Sequence, residues 1–425
     1  MDKIKFTVAI IGVGARGGDA YGCLINEEKE KFTIVSLCDQ RQERLDMFGE
    51  RFNVPAKNRF QDEEEFFKEK RADVLLIATP DKEHIRQAIR AFSLGYDIMV
   101  EKPLSDSFEE CEALLAAQKK YGGKALVCHV LRYAPAFLKV KELLANGKVG
   151  KLVSIEAIEN IAYWHIAHSY VRGNWRNTEV AFPIILAKCC HDLDLLQYYA
   201  GAKCKSVSSI GDIYWFKEEN APVGAEKKCV DCKYVDSCTY SAKKIYIDRY
   251  VENGEPNDAW PFNVVASAPV TKEKLLDGIK NTNYGNCVFK SDNNVVDNQF
   301  TQMVFENGVK ASLTLTGFSG NIGRTYHFNG TDGEVILDER ENTLVVWKFG
   351  EEKVEIKIDE LIKVGDKGYS HGGGDYFLVQ GLYEVLTGNG TAVTSLEASV
   401  ESHLIGMSAE KSRLQNGEWV CVHEN

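Results

Sequence analysis

Phe6-Thr7-Val8-Ala9-Ile10-Ile11-Gly12-Val13-Gly14-Ala15-Arg16-Gly17 is the stretch on which the fold turns. A short β-rich apolar run stopped by glycine reads as a buried parallel strand. Gly12-x-Gly14-x-x-Gly17 then opens a helix expected from about Gly17 to Lys29. Glycine permits the tight turn and lets backbone approach a pyrophosphate closely. The helix N-terminus offers N–H groups and positive potential to it. Gly12, Gly14, Ala15, Arg16 and Gly17 are therefore candidate cofactor contacts. Asp39 ends a second strand, Phe32 to Cys38, where a carboxylate can accept hydrogen bonds from a ribose. Its charge repels a 2′-phosphate, so NAD is expected over NADP, with Arg41 nearby as the opposing signal.

Working outward, strand and helix keep alternating. Asp73 to Thr79 is a buried strand closed by Pro80, and His84 to Leu94 reads as a helix. Asp97 to Val100 is the next strand and Phe108 to Tyr121 the next helix. Such alternation predicts a doubly wound parallel sheet with right-handed crossovers. Thr79 and Pro80 fall where cofactor ribose and nicotinamide pass, Pro80 reading also as a plain strand terminator, and His84, next to a helix start, reads as either structural or cofactor-facing. After about residue 128 the pattern changes. Tyr133 to Asn146 looks helical, Lys151 to Ile161 alternates, and later short strands are joined by turns such as Asn307-Gly308. Two final helices are expected, Asp375 to Leu386 and Ser395 to Leu414. The expected class is α/β: a Rossmann sheet over 1–128, then an α/β unit over 129–425 with a large open, mostly antiparallel sheet. A cysteine-containing insertion occupies about 213–300.

Glu101-Lys102-Pro103 follows the apolar segment Ile98-Met99-Val100. The proline biases Lys102 to an extended conformation. Lys102 then ends a strand where nicotinamide would lie. Near a cationic ring and partly desolvated, its pKa should fall, making it a usable acid or base. In Lys188-Cys189-Cys190-His191-Asp192-Leu193-Asp194-Leu195-Leu196, read as one helix, Lys188 lies a turn before His191. A histidine so placed can take a hydroxyl proton. Lys102 and His191 are the expected catalytic pair, and Glu101 is grouped with the cofactor contacts.

These segments, with His129-x-x-Arg132-x-x-Pro135 and Gly147 to Leu152, resemble the Gfo/Idh/MocA oxidoreductase family. The resemblance covers most of the chain and is tightest over residues 6 to 200. It implies a Rossmann domain, then an α/β domain whose open sheet forms a homodimer or homotetramer interface. It also implies a sugar, polyol or related substrate. Many members carry an aspartate four residues before the histidine; here that position is Ala187, and Lys188 is left to contact substrate. His168, Arg172, Trp175, Arg176 and His371 complete the substrate candidates, because sugars need aromatic platforms and hydrogen-bonding groups. A redox-assisted glycosidase and a non-catalytic NAD-binding sensor remain alternatives.

Composition bounds the rest. The chain has 425 residues and a formal net charge of -11, which argues against a nucleic-acid-binding face. No apolar run approaches the roughly 20 residues that span a bilayer, and a cytoplasmic location is expected. Its 12 cysteines should then be thiols or metal ligands. Cys229-x-x-Cys232-x5-Cys238 suits a structural zinc. The alternative is free thiols. A fourth ligand is not evident, and Cys287 or Cys204 could serve only if the fold brings one close.

Overall fold

The computed structural model describes residues 4–362, 370–390 and 392–423. Six strands, β1 (Phe6–Ile11), β2 (Phe32–Cys38), β3 (Arg59–Phe60), β4 (Val74–Ile77), β5 (Asp97–Val100) and β6 (Ala125–Val127), form one sheet in the order β3-β2-β1-β4-β5-β6. Every pairing in it is parallel. The apolar runs of β1, β4 and β5 are buried because helices cover both faces. The strand order reverses between β1 and β4, and ligands of such sheets bind outside the carboxyl ends of the strands at that point.

Nine strands make a second sheet: β7 (Leu152–Ala162), β8 (Cys204–Asp212), β9 (Asn298–Phe305), β10 (Lys310–Ser319), β11 (Gly323–Gly330), β12 (Gly333–Asp338), β13 (Thr343–Lys348), β14 (Val354–Lys357) and β15 (Val420–Cys421). Their order is β14-β13-β12-β11-β7-β10-β9-β8-β15. All pairs are antiparallel except the central β7–β10 pair. Asn307-Gly308 does turn β9 into β10, with Gly308 at φ +87°. In β10, Ala311, Leu313 and Leu315 are buried, and the polar residues between them face outward. The helices Pro135–Ala145, Cys190–Ala200 and Leu396–Leu414 pack on the buried face. The other face stays open and carries Ile158, Ile210 and Phe300, each more than a third exposed. Among the described residues no helix is long and apolar enough to cross a membrane.

The expected helix over Lys188 to Leu196 is corrected. The chain forms a short helix at Ile184–Ala187 and restarts at Cys190–Ala200. Lys188, at φ −111° and ψ −53°, lies between them, so it does not stand one helical turn before His191. The first helix also differs. It begins at Ala15 as a π-helical turn (Ala15–Gly22) and ends at Glu27.

Candidate active site

The carboxyl ends of β1, β2, β4, β5 and β6 bring Gly12, Asp39, Thr79, Lys102 and His129 to one edge of the sheet. Gly12 sits at φ +86°, and a Cβ there would lie 2.5 Å from Ala78 O. Only glycine fits this turn without displacing backbone. A Cβ on Gly17 would meet Gly12 O at 2.0 Å, so the turn is closed by backbone on backbone. Asp39 Oδ2 accepts from Val13 N at 2.9 Å and Oδ1 from Arg41 N at 2.9 Å. The carboxylate thus braces the glycine turn from the end of the second strand. Arg41 itself is exposed and pairs with Glu43 at 3.4 Å. This cradle fits a dinucleotide: an open glycine edge, a carboxylate at the second strand end and a helix start above them.

Four expected cofactor contacts, Arg16, Glu101, Thr79 and His84, have side chains already committed to the protein. Arg16 Nε reaches Glu101 Oε1 at 2.9 Å, and its Nη2 reaches Asp375 Oδ1 at 2.7 Å. The guanidinium therefore ties the glycine turn to the strand end and to the helix Gly374–Thr387. Glu101 Oε2 also accepts from Lys102 N at 3.0 Å. Only the backbone of Arg16 is left for phosphate. Thr79 Oγ1 is hydrogen-bonded to Gln87 Oε1 at 2.6 Å, and Pro80 is exposed. His84 is buried between Pro103 O (2.7 Å) and Thr79 O (2.9 Å). It braces the β4 and β5 ends against each other and does not face a cofactor.

Lys102 is half-buried. Burial works against its charge, but the Cys190 sulfur, Glu101 and Asp81 outweigh it and hold the ammonium above its ordinary value. The expected fall is therefore not what this surrounding produces, since the carboxylates gathered here favour the cation. His191 is buried on the first turn of its helix, and its Nδ1 has no hydrogen-bond partner. Burial, then Lys102, Arg324, His129 and His371, push its pKa well below the usual imidazole range. A charged ammonium thus lies within electrostatic reach of a neutral imidazole. Imidazoles run on from there: His371 lies 6.2 Å from His191, His129 5.9 Å from His191, and His403 5.9 Å from His129, ring centre to ring centre. His371 has φ +54° and contacts Asp375 Oδ2 through Nδ1 at 3.2 Å.

The remaining substrate candidates scatter. Lys188 Nζ is ion-paired to buried Glu159 at 3.0 Å, and Glu159 pairs with Arg324 Nη2 at 2.9 Å. Arg324 also holds Asp192 through Nε at 2.9 Å, and Tyr326 OH donates to Asp192 at 2.8 Å. A buried charge must find an opposite charge, so Lys188 serves Glu159 and is not free for substrate. His168 is a core residue. Its Nδ1 is 2.9 Å from Tyr246 OH, its ring stacks on Tyr284, and burial pushes its pKa down to about 3. Arg172 is buried on carbonyl oxygens, and Arg176 is held by Asp292 at 2.7 Å. Trp175 is less enclosed. It is 36% exposed and donates through Nε1 to Asp81 at 3.1 Å.

Cys229, Cys232 and Cys238 line one pocket. Among the described residues no group of three or more His, Cys, Asp or Glu is close enough to hold a metal as placed.

Sequence reasoning missed Asp81, Glu159, Arg324 and His403. Asp81 follows Pro80 at a strand end and could have been found by that position. The other three lie in a strand or helix far along the chain and carry no local signal.

A parallel sheet in this order, with a glycine turn at its carboxyl edge, defines the dinucleotide-binding Rossmann class. Residues 6–129 match the family profile described as the oxidoreductase family's NAD-binding Rossmann fold, and residues 141–422 that of its C-terminal alpha/beta domain. The chain belongs to the Gfo/Idh/MocA oxidoreductase family. Among its relatives is a putative oxidoreductase, YteT, of Bacillus subtilis (strain 168), 22% identical over 402 residues, or 88% of each chain. Inositol 2-dehydrogenase of Rubrobacter xylanophilus is 24% identical over 217 residues, 48% of this chain and 55% of that enzyme. A solved levoglucosan dehydrogenase, in complex with NADH and L-sorbose, shares the fold with a TM-score of 0.72. It is 18% identical, over 99% of this chain and 100% of that one.

Proposed function

We propose that this protein is an NAD-dependent oxidoreductase that moves a hydride between nicotinamide and a hydroxyl or carbonyl carbon of a sugar, polyol or glycoside. One observation carries the reading. The Lys102 ammonium and the neutral His191 imidazole lie within electrostatic reach of each other at the carboxyl edge of the glycine-turn sheet. When bound, NAD supplies the hydride acceptor. The backbone at Gly12, Gly14, Ala15 and Gly17 would take its pyrophosphate, and Asp39 its ribose. His191, neutral, accepts the proton of the substrate hydroxyl. The Lys102 ammonium holds the same oxygen as negative charge grows on it. Trp175 and His371 border this space, and the names of the relatives, inositol and levoglucosan dehydrogenases, supply the substrate class. A panel of sugars, polyols and glycosides with NAD, read at the NADH absorbance, tests the proposal. NADH formed in proportion to oxidised product supports it. Glycoside cleavage without net NADH would replace it with the redox-assisted glycosidase, and binding without conversion across the panel with the sensor.

Asp39 should make NAD bind more tightly than NADP, because a 2′-phosphate would meet its carboxylate. Titration of the purified protein with both cofactors checks this, and tighter NADP binding would overturn it. Asp39→Ala should narrow the gap and also weaken NAD, since the brace on Val13 N goes with the ribose contact.

The open face of the second sheet is proposed to dock a second copy of the chain. Ile158, Ile210 and Phe300 would otherwise stay in water. Light scattering should give a dimer or tetramer mass, and Phe300→Lys should lower it. A monomer mass at working concentration would refute the docking.

A further inference from the structure

Away from Lys102 and His191, the inserted segment holds a small pocket of about 20 Å³. Four cysteines line it: Cys229, Cys232, Cys238 and Cys287. None is in a disulfide. Local turns set the first three, with Cys232 N donating to Cys229 O at 3.2 Å and Cys238 N to Tyr234 O at 2.8 Å. Cys287 arrives from much later in the sequence. Its N–H donates to Lys227 O at 2.8 Å, and Asn286 bridges Lys228, so backbone pairing fixes it beside Cys229.

Arg172 lines the same pocket and is an independent observation. It is 1% exposed. Its Nε donates to Asn286 O and its Nη2 to Tyr240 O, both at 2.7 Å, and Nη2 lies 3.6 Å from Cys229 Sγ. Its Nη1 has no partner. Every acceptor is neutral, and among the described residues no carboxylate pairs with it. Arginine does not give up its proton in proteins, and a buried charge without an opposite charge is costly. The pocket is therefore short of negative charge. Four neutral thiols do not supply it, whereas four thiolates around a divalent metal carry a net charge of minus two.

We propose that Cys229, Cys232, Cys238 and Cys287 bind one zinc ion as a tetrathiolate centre, with Arg172 as its buried counter-charge. The balance is Zn²⁺ plus four Cys thiols giving a four-sulfur zinc dianion and four released protons. A Cys-x-x-Cys turn and an all-sulfur tetrahedral set suit zinc. Binding draws the four sulfurs inward and closes the pocket. With all four positions taken by protein, the metal has no open site for chemistry. Its work is to clasp the insertion onto the π-helical turn Ala167–Arg172, behind the proposed substrate rim.

The test uses full-length protein without a polyhistidine tag. Metal analysis should find about one zinc per chain, and zinc-edge X-ray absorption about four sulfurs near 2.3 Å. A mercurial titration of the wild type should release that zinc as four thiols react, a readout that needs no variant to fold. Cys287→Ser should lower zinc content as deeply as Cys232→Ser, while Cys23→Ser leaves it unchanged. Arg172→Met should speed loss of zinc to a chelator. Metal well below one per chain overturns the proposal. Iron with acid-labile sulfide overturns the zinc, and full zinc retention in Cys287→Ser overturns the fourth ligand.

Discussion

Lys102→Ala is expected to lower kcat by roughly 10²–10³-fold, the usual contribution of a charged donor placed at a developing oxyanion, while cofactor affinity changes far less. The ammonium is held charged by Glu101 and Asp81 against its burial, and alanine removes the cation proposed to hold the reacting oxygen. His191→Ala should cost a comparable factor. The double variant should be little worse than either single, because two groups working on one oxygen act as a unit. The pH profile gives a second check. His191 is pushed well below its ordinary 6.5 by burial and by Lys102, so it stays neutral as pH falls through that range. The oxidation rate should therefore persist below pH 6.5. Near wild-type kcat in Lys102→Ala defeats the assignment, and an acid limb at or above the ordinary imidazole value defeats the neutral His191.

Arg132→Met is expected to destabilise the fold by about 3–5 kcal/mol, the cost of leaving one partner of a buried ion pair alone. Arg132 reaches Asp194 through Nε and Nη2, both at 2.7 Å, and both side chains are buried. Burial already lifts the Asp194 carboxyl above its ordinary value, and Arg132 is the main force opposing that. Without Arg132 it rises further. A carboxyl whose folded pKa lies above its unfolded one binds its proton more tightly when folded. Its contribution is then present at low pH and is lost as pH rises through the folded pKa. The stability gap between Arg132→Met and wild type should thus be wider at alkaline than at mildly acidic pH in urea unfolding. Asp194→Leu added to Arg132→Met should recover part of it. A gap under about 1 kcal/mol, in the range of an exposed pair, would show that the two side chains are not a buried pair.

Much of the site's location was legible locally. The glycine turn, Asp39, Thr79 and Lys102 all end parallel strands, and that topology alone puts them on one edge. The partners of their side chains were not legible. Arg16 reads as a phosphate contact until Asp375, hundreds of residues later, is seen to hold it. His168, Arg172 and Arg176 read as sugar-binding groups because they are polar and near aromatics. The inserted segment folds over them and takes their hydrogen bonds.

The sequence by itself determined the strand-helix alternation, the parallel sheet and the family, because apolar period and glycine or proline punctuation act over a few residues. It also determined where the hairpin Asn307-Gly308 turns. Tertiary structure alone decided which polar groups are spent and which are free. It closed Lys188 onto Glu159 and Arg324, broke the helix before His191, raised Lys102 with Asp81 and Glu101, and set Cys287 beside Cys229. The reason is physical: charge and burial act through space over a few ångströms, and the groups that meet there come from strands and loops far apart in the chain.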